Sequence, residues 1–168
     1  IGQRVAKIAS SYGMKVIVHT RTESKVTEYN KDVHEDEKVK FVTLDELLST
    51  SDIVSLHCPL TNENKGLINS DALKKIKDGA LLINTARGPL VDEQAVRDAL
   101  DSGKLRGYAT DVLSSEPMSE DCPLLNAKNC VITPHVAWAA KETRERLLSI
   151  AVENLRSFLN GKVINRVN

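Results

Sequence analysis

The stretch "ALLINTARGPLVDEQAVRDALDSGKLRGYATDVL" (residues 80–113) decides the fold class. It begins with an apolar run, continues through an amphipathic segment that ends at a glycine, and closes with a second apolar run. The apolar runs are short enough to predict strands, and the segment between them has helical spacing. A strand, a helix and a further strand in this order predict a βαβ unit with parallel strands.

The same alternation extends along the rest of the chain. Because "ALLIN" is apolar until its last residue, we expect that strand to be buried on both faces. Ser70 is expected to cap a helix that Gly79 ends. Further strands are predicted at "KVIVHT", "DIVSLHC" and "NCVITPH", and further helices at "GQRVAKIASSYG", "TLDELLST" and "AAKETRERLLSIAVENLRSFLNG". The sequence therefore predicts a single α/β domain over residues 1–168, with a doubly wound parallel sheet.

The composition argues against several classes of partner. Lysine plus arginine and aspartate plus glutamate both total 23, so we expect neither nucleic acid nor a membrane surface as a partner. No apolar run approaches the length of about 20 residues that spans a bilayer. The three cysteines form no Cys-x-x-Cys pair and the histidines no His-Glu-x-x-His pattern, so we expect no metal site. Free cysteines indicate a reduced, cytoplasmic setting.

Polar residues follow the predicted strands, at the edge where open parallel sheets bind their ligands. Asp111 follows "GYAT", and His135 comes just after "VIT". The other strand-end residues are Thr20 and Arg21, then His57, Cys58 and Pro59, and then Thr85, Ala86 and Arg87. Since these strands are predicted to be parallel, we expect their polar residues to collect along one edge of the sheet.

Three of the side chains have chemistry that suits a small organic acid. Arg87 can hold a carboxylate with two parallel hydrogen bonds, although an arginine on such a loop can equally be an ordinary surface residue. His135 can transfer a proton near neutral pH if a carboxylate such as Glu116 bonds its other ring nitrogen. Taken alone, Glu116 fits a solvated loop and His135 a structural role. His19, His34 and His57 are assigned packing, loop and supporting roles.

The motifs together resemble the D-isomer-specific 2-hydroxyacid dehydrogenases, most closely the glycerate dehydrogenase/hydroxypyruvate reductase group. The resemblance involves "IGQRVAKIASSYGMKV", "SDIVSLHCPLTNENKGLIN", "LLINTARGPLVDEQAV", "GYATDVLSSEP" and "VITPHVAWAAKETRERL", in the order in which the family has them. It implies a Rossmann-like fold and an NAD(P)-dependent oxidoreductase that reduces a 2-keto acid to a D-2-hydroxy acid. In this family Arg87 would bind the substrate carboxylate, His135 would be the acid/base, and Glu116 would orient His135.

The resemblance also implies a dinucleotide site. Gly2 would be the third glycine of a Gly-x-Gly-x-x-Gly fingerprint and would lie, with Ile1, at the pyrophosphate. Cys58 and Pro59 would pass beside the adenosine. The residues expected to line the nicotinamide end are Thr85, Ala86, Arg87, Asp111, His135 and Trp138.

The second strand departs from the family pattern for NAD. NAD-preferring members have an acidic residue after this strand, whereas "VHTRT" has Thr20 there, followed by Arg21. A 2′-phosphate would meet no carboxylate at this position and could pair with the Arg21 guanidinium. We therefore expect NADP(H) to be preferred; the alternative is that Arg21 is solvated and both cofactors bind.

The resemblance further implies what surrounds this domain. Family members carry a separate substrate domain, and residues 1–168 contain neither it nor the first strand and the complete glycine loop. We therefore expect a C-terminal fragment that is inactive by itself, and a homodimer, because family members pair through this domain. Two alternatives stay open: a dehydrogenase for lactate, phosphoglycerate or a bulkier acid, and a non-catalytic protein that senses dinucleotides.

Overall fold

The computed structural model describes residues 1–167, which form two compact units. The first unit spans Ile1–Thr133, and the second begins at Pro134. The first unit holds all the strands that the described residues form, while the second is built on one long helix. Each unit is described by itself below.

The strands of the first unit form two parallel sheets. In the smaller sheet β1 (Ile17–Val18) pairs with β2 (Lys40–Phe41). The larger sheet has four strands in the order β3-β4-β5-β6, all parallel. Its strands are β3 (Ile53–Leu56), β4 (Ala80–Asn84), β5 (Leu105–Thr110) and β6 (Cys130–Ile132). The predicted parallel α/β architecture is confirmed, and its strands are divided between these two sheets.

Helices alternate with the strands, as a βαβ chain requires. The first unit contains α1 (Gly2–Ser11), α2 (Ser24–Lys31), α3 (Leu44–Thr50), α4 (Ser70–Lys75) and α5 (Glu93–Asp101). Short 3₁₀ turns lie at Glu35–Glu37 and Gly88–Leu90. The second unit contains α6 (Lys141–Leu159).

Two details of the helix prediction differ from the structure. The cap of α4 is Asn69 rather than Ser70, because the Asn69 side chain accepts hydrogen bonds from the N–H groups of Asp71 and Ala72. This helix ends at Lys75, and Gly79 instead provides the left-handed turn, φ 76°, that precedes β4. The helix α2 was not predicted, because its sequence "SKVTEYNK" is mostly polar and buries only Val26.

The main hydrophobic core lies against the larger sheet. Leu82 of β4, Leu90 of the second 3₁₀ turn and Val96 of α5 are all fully buried. In β4 the alternate residues Leu81 and Ile83 are only half-buried, so the expectation of full burial on both faces is wrong for this strand. A second, smaller core under β1 and β2 contains the buried residues Ala6, Val26 and Val39.

Candidate functional site

The last residues of the four strands in the larger sheet lie in register. Leu56 pairs with Asn84, Asn84 with Thr110, and Thr110 with Ile132. We call these four residues the strand-end row. Since neighbouring strands lie about 4.8 Å apart, the residues that follow the row stand side by side along one edge. They are His57, Thr85, Asp111 and Thr133.

The centre of this edge is held by buried polar groups. The Asn84 side chain is fully buried; its amide nitrogen donates to the Arg87 carbonyl (3.0 Å) and its oxygen accepts from the Ala86 N–H (3.0 Å). The Asn84 backbone carbonyl accepts from the Thr110 hydroxyl (3.2 Å) and the Asp111 N–H (3.0 Å). One residue at the end of β4 therefore ties its own loop to the end of β5.

Arg87 stands on the loop of residues 85–88, which we call the Arg87 loop. The backbone of Arg87 itself is extended, with φ −146°, and its side chain is exposed. One guanidinium nitrogen donates to the carbonyl of Ala86 at 2.7 Å. A guanidinium has five N–H donors in a planar fork, so a side chain in this position can also present donors to an anionic ligand.

The Arg87 loop touches the loop that carries Glu116, residues 111–116, which we call the Glu116 loop. A Cβ atom added to Gly88 would lie 2.0 Å from the carbonyl carbon and oxygen of Leu113, so only glycine fits there. The Leu113 N–H donates to Glu116 Oε1 at 2.9 Å, and the Ser114 N–H donates to Glu93 Oε1 at 2.7 Å. The Gly88 contact brings the loops of Arg87 and Glu116 together within the first unit, and the two hydrogen bonds fix the Glu116 loop internally and against α5.

Asp111 is buried at the start of the Glu116 loop, with 5% of its surface exposed. Its Oδ1 accepts a short hydrogen bond from the Thr133 hydroxyl, and the Thr133 N–H donates to the Thr110 carbonyl at 2.9 Å. The end of β6 is thereby fixed beside the end of β5. Neither Thr110 nor Thr133 was singled out from the sequence, because a threonine in or after a strand is an ordinary β-former.

His135 and Trp138 belong to the second unit. His135 has the positive backbone φ of 52°, which is uncommon for a residue with a side chain. Its carbonyl accepts a hydrogen bond from the Trp138 indole N–H at 2.7 Å. Positive φ values in non-glycine residues are concentrated at functional sites, where the surrounding structure maintains them. The convergence of His135 with Arg87 and Glu116 remains a prediction.

The predicted adenosine end lies where β1 and β3 finish. Arg21 is exposed, and Cys58 is half-buried. Burial raises the pKa of the Cys58 thiol, while a backbone hydrogen bond and the charge of Arg21 lower it. The loop after Cys58 is fixed by Asn64, which donates to the Pro59 carbonyl at 2.8 Å.

The start of α1 lies against the end of β3. A Cβ atom added to Gly2 would lie 3.3 Å from Cβ of His57, a tight contact that favours glycine. The His57 ring bonds Ser55 Oγ at 3.0 Å, which agrees with its expected supporting role. Burial lowers the pKa of His57. The first turn of α1 has no acidic side chain, so nothing there opposes an anion at the helix start.

His19 and His34 lie in the segments around the smaller sheet. His19 Nδ1 contacts the Val42 carbonyl at 3.0 Å, and its ring stacks on Phe41 with centroids 6.1 Å apart. It therefore packs, as expected. His34 is exposed at the start of the 3₁₀ turn that follows α2.

The residues along this edge fit a dinucleotide. Gly2 leaves the α1 start free of a side chain beside β3, and a helix start favours a diphosphate. Within residues 1–167, no group of three or more His, Cys, Asp or Glu side chains is placed to hold a metal ion. Among the helices of these residues, none is both long and apolar enough to cross a bilayer.

A parallel sheet with a row of strand-end loops defines a dinucleotide-binding α/β domain. The family model "D-isomer specific 2-hydroxyacid dehydrogenase, NAD binding domain" matches residues 1–137. The chain belongs to this family. The resemblance inferred from the motifs is thereby confirmed at the level of the family and its NAD-binding domain.

Individual relatives show the same likeness. The chain is 49% identical to hydroxypyruvate reductase of Blautia hydrogenotrophica over 168 residues, covering 100% of this chain and 50% of that protein. It is 40% identical to glyoxylate reductase of Aeropyrum pernix over 163 residues, covering 97% of this chain and 47% of that protein. The chain therefore spans about half the length of the curated relatives it matches.

Among solved structures, an acyclic imino acid reductase (Bsp5) in complex with NADPH and D-Arg matches with a TM-score of 0.84. The two sequences are 34% identical, and the match covers 100% of this chain and 50% of that one. The Rossmann-like fold that the resemblance implied is therefore shown.

Proposed function

We propose that this chain is the cofactor-binding and catalytic domain of an NAD(P)H-dependent reductase that acts on hydroxypyruvate or glyoxylate. One observation carries the proposal: Gly88 allows the Arg87 and Glu116 loops to lie in direct contact at the carboxyl edge of the sheet. A carboxylate-binding cation and the partner of an acid/base are thus held together on rigid strand ends. The similarity to a hydroxypyruvate reductase supports the choice of substrate.

Each residue has a distinct role in the proposed reduction. The guanidinium of Arg87 binds the carboxylate of the 2-keto acid and orients its carbonyl carbon. His135 donates a proton to the carbonyl oxygen while that carbon is reduced, and the product is a 2-hydroxy acid. Glu116 accepts from the second ring nitrogen of His135, which fixes the tautomer and the orientation of the ring. The nicotinamide cofactor supplies the hydride when it is bound.

The remaining strand-end residues are proposed to hold the dinucleotide. Ile1 and Gly2 would contact the pyrophosphate at the start of α1, and Cys58 and Pro59 would pass beside the adenosine. Thr85, Ala86, Arg87, Asp111, His135 and Trp138 would line the nicotinamide end. The placement of Cys58, Thr85 and Asp111 after β3, β4 and β5 supports this assignment, since such edges bind dinucleotides.

The preference for NADP(H) is also a proposal. Arg21 is exposed on the loop after β1, and its charge lowers the pKa of the Cys58 thiol, which supports a place beside the proposed adenosine site. Thr20 contributes no negative charge there. The test compares kcat/KM for NADPH and NADH in the full-length protein and in Arg21→Ala. We expect NADPH to be preferred and the preference to fall in the variant; a marked NADH preference in the unaltered protein contradicts the proposal.

The substrate proposal is tested by Arg87→Lys and by the substrate's own carboxylate. Full-length protein is assayed with hydroxypyruvate, with glyoxylate, and with hydroxyacetone, which offers a ketone without a carboxylate. We expect both acids to be reduced, hydroxyacetone to be a poor substrate, and Arg87→Lys to lose most of the activity, since a point charge does not reproduce the planar fork. Exposed Arg106→Lys on β5 is the matched control. Equal turnover of acid and ketone contradicts the proposal.

We also propose that the protein is a cytoplasmic homodimer. The three cysteines are free thiols, which supports a reducing compartment. On α6, Leu147, Leu148 and Phe158 each expose 66% of their surface, which is unusual for large apolar side chains and supports pairing with a second copy. Sedimentation analysis of the unaltered protein is expected to give a dimer. The Leu148→Glu variant is expected to dimerise more weakly. A monomer at micromolar concentration contradicts this part of the proposal.

A further inference from the structure

Asn84, in the strand-end row, is a buried side chain that makes two hydrogen bonds to backbone groups and has no role in the proposed reaction. Asn84 is 0% exposed, and the sequence motifs offered no function for it. Its amide nitrogen and oxygen bond the Arg87 carbonyl and the Ala86 N–H, both at 3.0 Å. The side chain therefore fixes the backbone on both sides of the peptide that joins Ala86 to Arg87.

The backbone carbonyl of Asn84 also fixes the end of the neighbouring strand β5. Its carbonyl accepts from the Thr110 hydroxyl and the Asp111 N–H, where the Glu116 loop begins. Tyr108, on β5, is 3% exposed, and burial raises the pKa of its phenol to about 12. The groups that bond Asn84 are uncharged: they are backbone carbonyl and N–H groups and the Thr110 hydroxyl.

We propose that Asn84 is a positioning residue that sets the direction of the Arg87 guanidinium through the Ala86–Arg87 backbone. The inference rests on the proposed function, because it concerns the site that binds the substrate carboxylate. Asn84 does not touch the substrate. It acts by holding the Arg87 loop in one conformation, and the Gly88 contact passes that conformation to the Glu116 loop.

Only an amide side chain satisfies both contacts. An asparagine offers a donor and an acceptor at once, whereas an ionised aspartate of nearly the same shape only accepts. Asn84→Asp would keep the bond from the Ala86 N–H and turn a carboxylate oxygen towards the Arg87 carbonyl. The substitution therefore disturbs one side of the Arg87 loop with very little change in volume.

The chain contains a matched control for this substitution. Asn30 also clamps a backbone, since its Nδ2 donates to the Val39 carbonyl at 2.9 Å and its Oδ1 accepts from the Val39 N–H at 2.9 Å. It lies beside the smaller sheet, away from the strand-end row. Asn30→Asp makes the same chemical change at a site that is not proposed to position a substrate-binding side chain.

The test compares the full-length protein with its Asn84→Asp and Asn30→Asp variants. It measures kcat and KM for hydroxypyruvate, KM for NADPH, and the melting temperature. Both variants are expected to melt at lower temperature. Only Asn84→Asp should lower kcat/KM for hydroxypyruvate, by about 10- to 100-fold, since misplacing a binding group by about 1 Å has effects of that size. Its KM for NADPH should change less than its KM for hydroxypyruvate, because the Arg87 loop is proposed to line only the nicotinamide end of the cofactor.

A double-substitution cycle separates this inference from the proposed function. If Asn84 acts through Arg87, Asn84→Asp adds little further loss in an Arg87→Lys background. A full additional loss in that background, or equal effects of Asn84→Asp and Asn30→Asp on substrate KM, overturns the positioning role. Unchanged activity in Arg87→Lys alone overturns the proposed function instead. If Asn84→Asp does not fold, the same cycle is run with Asn84→Ser and Asn30→Ser, which remove the clamp without burying a charge.

Discussion

The two sheets of the first unit are held in different ways. The larger sheet has strands of up to six residues, a core of fully buried side chains, and buried polar anchors at its carboxyl edge. The smaller sheet pairs two residues with two over a small core, and Arg21 stands exposed beyond it. This difference fits the proposed function. The end proposed to bind the reacting carbonyl needs fixed geometry, whereas the proposed adenosine end would lie far from the reacting atoms.

The largest expected effect tests the contact between the two loops of the larger sheet. Gly88→Ala places a methyl group 2.0 Å from the Leu113 backbone, which cannot move as a flexible side chain can. We expect more than about 3 kcal/mol of destabilisation, at or above the upper end for overpacking. Urea unfolding measures it.

The control is Gly13→Ala at the end of α1, where φ is 79° and nothing lies within 4 Å of an added Cβ. Only the left-handed conformation opposes alanine there, which costs roughly 1–2 kcal/mol. Similar losses at the two glycines would show that the loop contact is looser than described.

The next effect compares the two cores directly. Leu82 is fully buried in the larger core, so Leu82→Ala is expected to lower the free energy of unfolding by about 2–5 kcal/mol. Val26, 8% exposed, belongs to the three-residue core of the smaller sheet. Val26→Ala removes two methyl groups, which corresponds to about 1.5 kcal/mol.

Thermal unfolding of both variants sharpens this comparison. A loss at Val26 that equals the loss at Leu82 contradicts the view that the larger sheet carries most of the stability. Loss of NADPH affinity in Val26→Ala, with substrate affinity unchanged, would support the assignment of the smaller sheet to the adenosine end.

The smallest expected effect is a pH dependence of stability that comes from His57, beside the start of α1. Burial lowers the pKa of His57 below its ordinary value of 6.5 in the folded chain, so the unfolded chain binds a proton more readily. Stability is therefore complete above about pH 6.5 and falls as the pH drops below it. Because His57 is half-buried, we expect the change to be below about 1 kcal/mol.

Replacement of His57 isolates this contribution. His57→Gln should reduce the loss of stability between pH 7 and pH 5, while the exposed His34→Gln serves as the control. Urea midpoints at several pH values provide the measurement. An unchanged pH profile in His57→Gln would assign the acid sensitivity to other groups.

The sequence predicted the parts of this fold that periodicity encodes. The apolar runs of the larger sheet located its strands, because buried strands exclude polar residues almost throughout. The α2 helix was missed since its stability comes from burying Val26 rather than from an amphipathic stripe. Asn69 was missed as a cap because the neighbouring Ser70 is an equally good capping residue in sequence terms.

The candidate site, like the fold, was predicted only in part from the sequence. Arg87, Glu116 and His135 could be proposed from the sequence because their strand-end positions and chemistry made them candidates and the family resemblance gave each a role. The anchors Asn84 and Glu93 could not, because their importance lies in contacts with backbone groups that are distant in sequence or on an irregular loop. The one available signal was an asparagine that closes an otherwise apolar strand, where an unpaired amide would be costly.

The central claim is that His135 transfers the proton during reduction of a 2-keto acid, and its removal tests that claim most directly. Turnover of hydroxypyruvate by the full-length protein is measured beside His135→Ala, with NADPH affinity determined separately by titration. The account predicts a loss in kcat of about 10²–10⁴-fold with cofactor affinity largely kept, since general acid catalysis contributes that much. A His135→Ala variant that folds, binds NADPH and turns over hydroxypyruvate at the unaltered rate would contradict it.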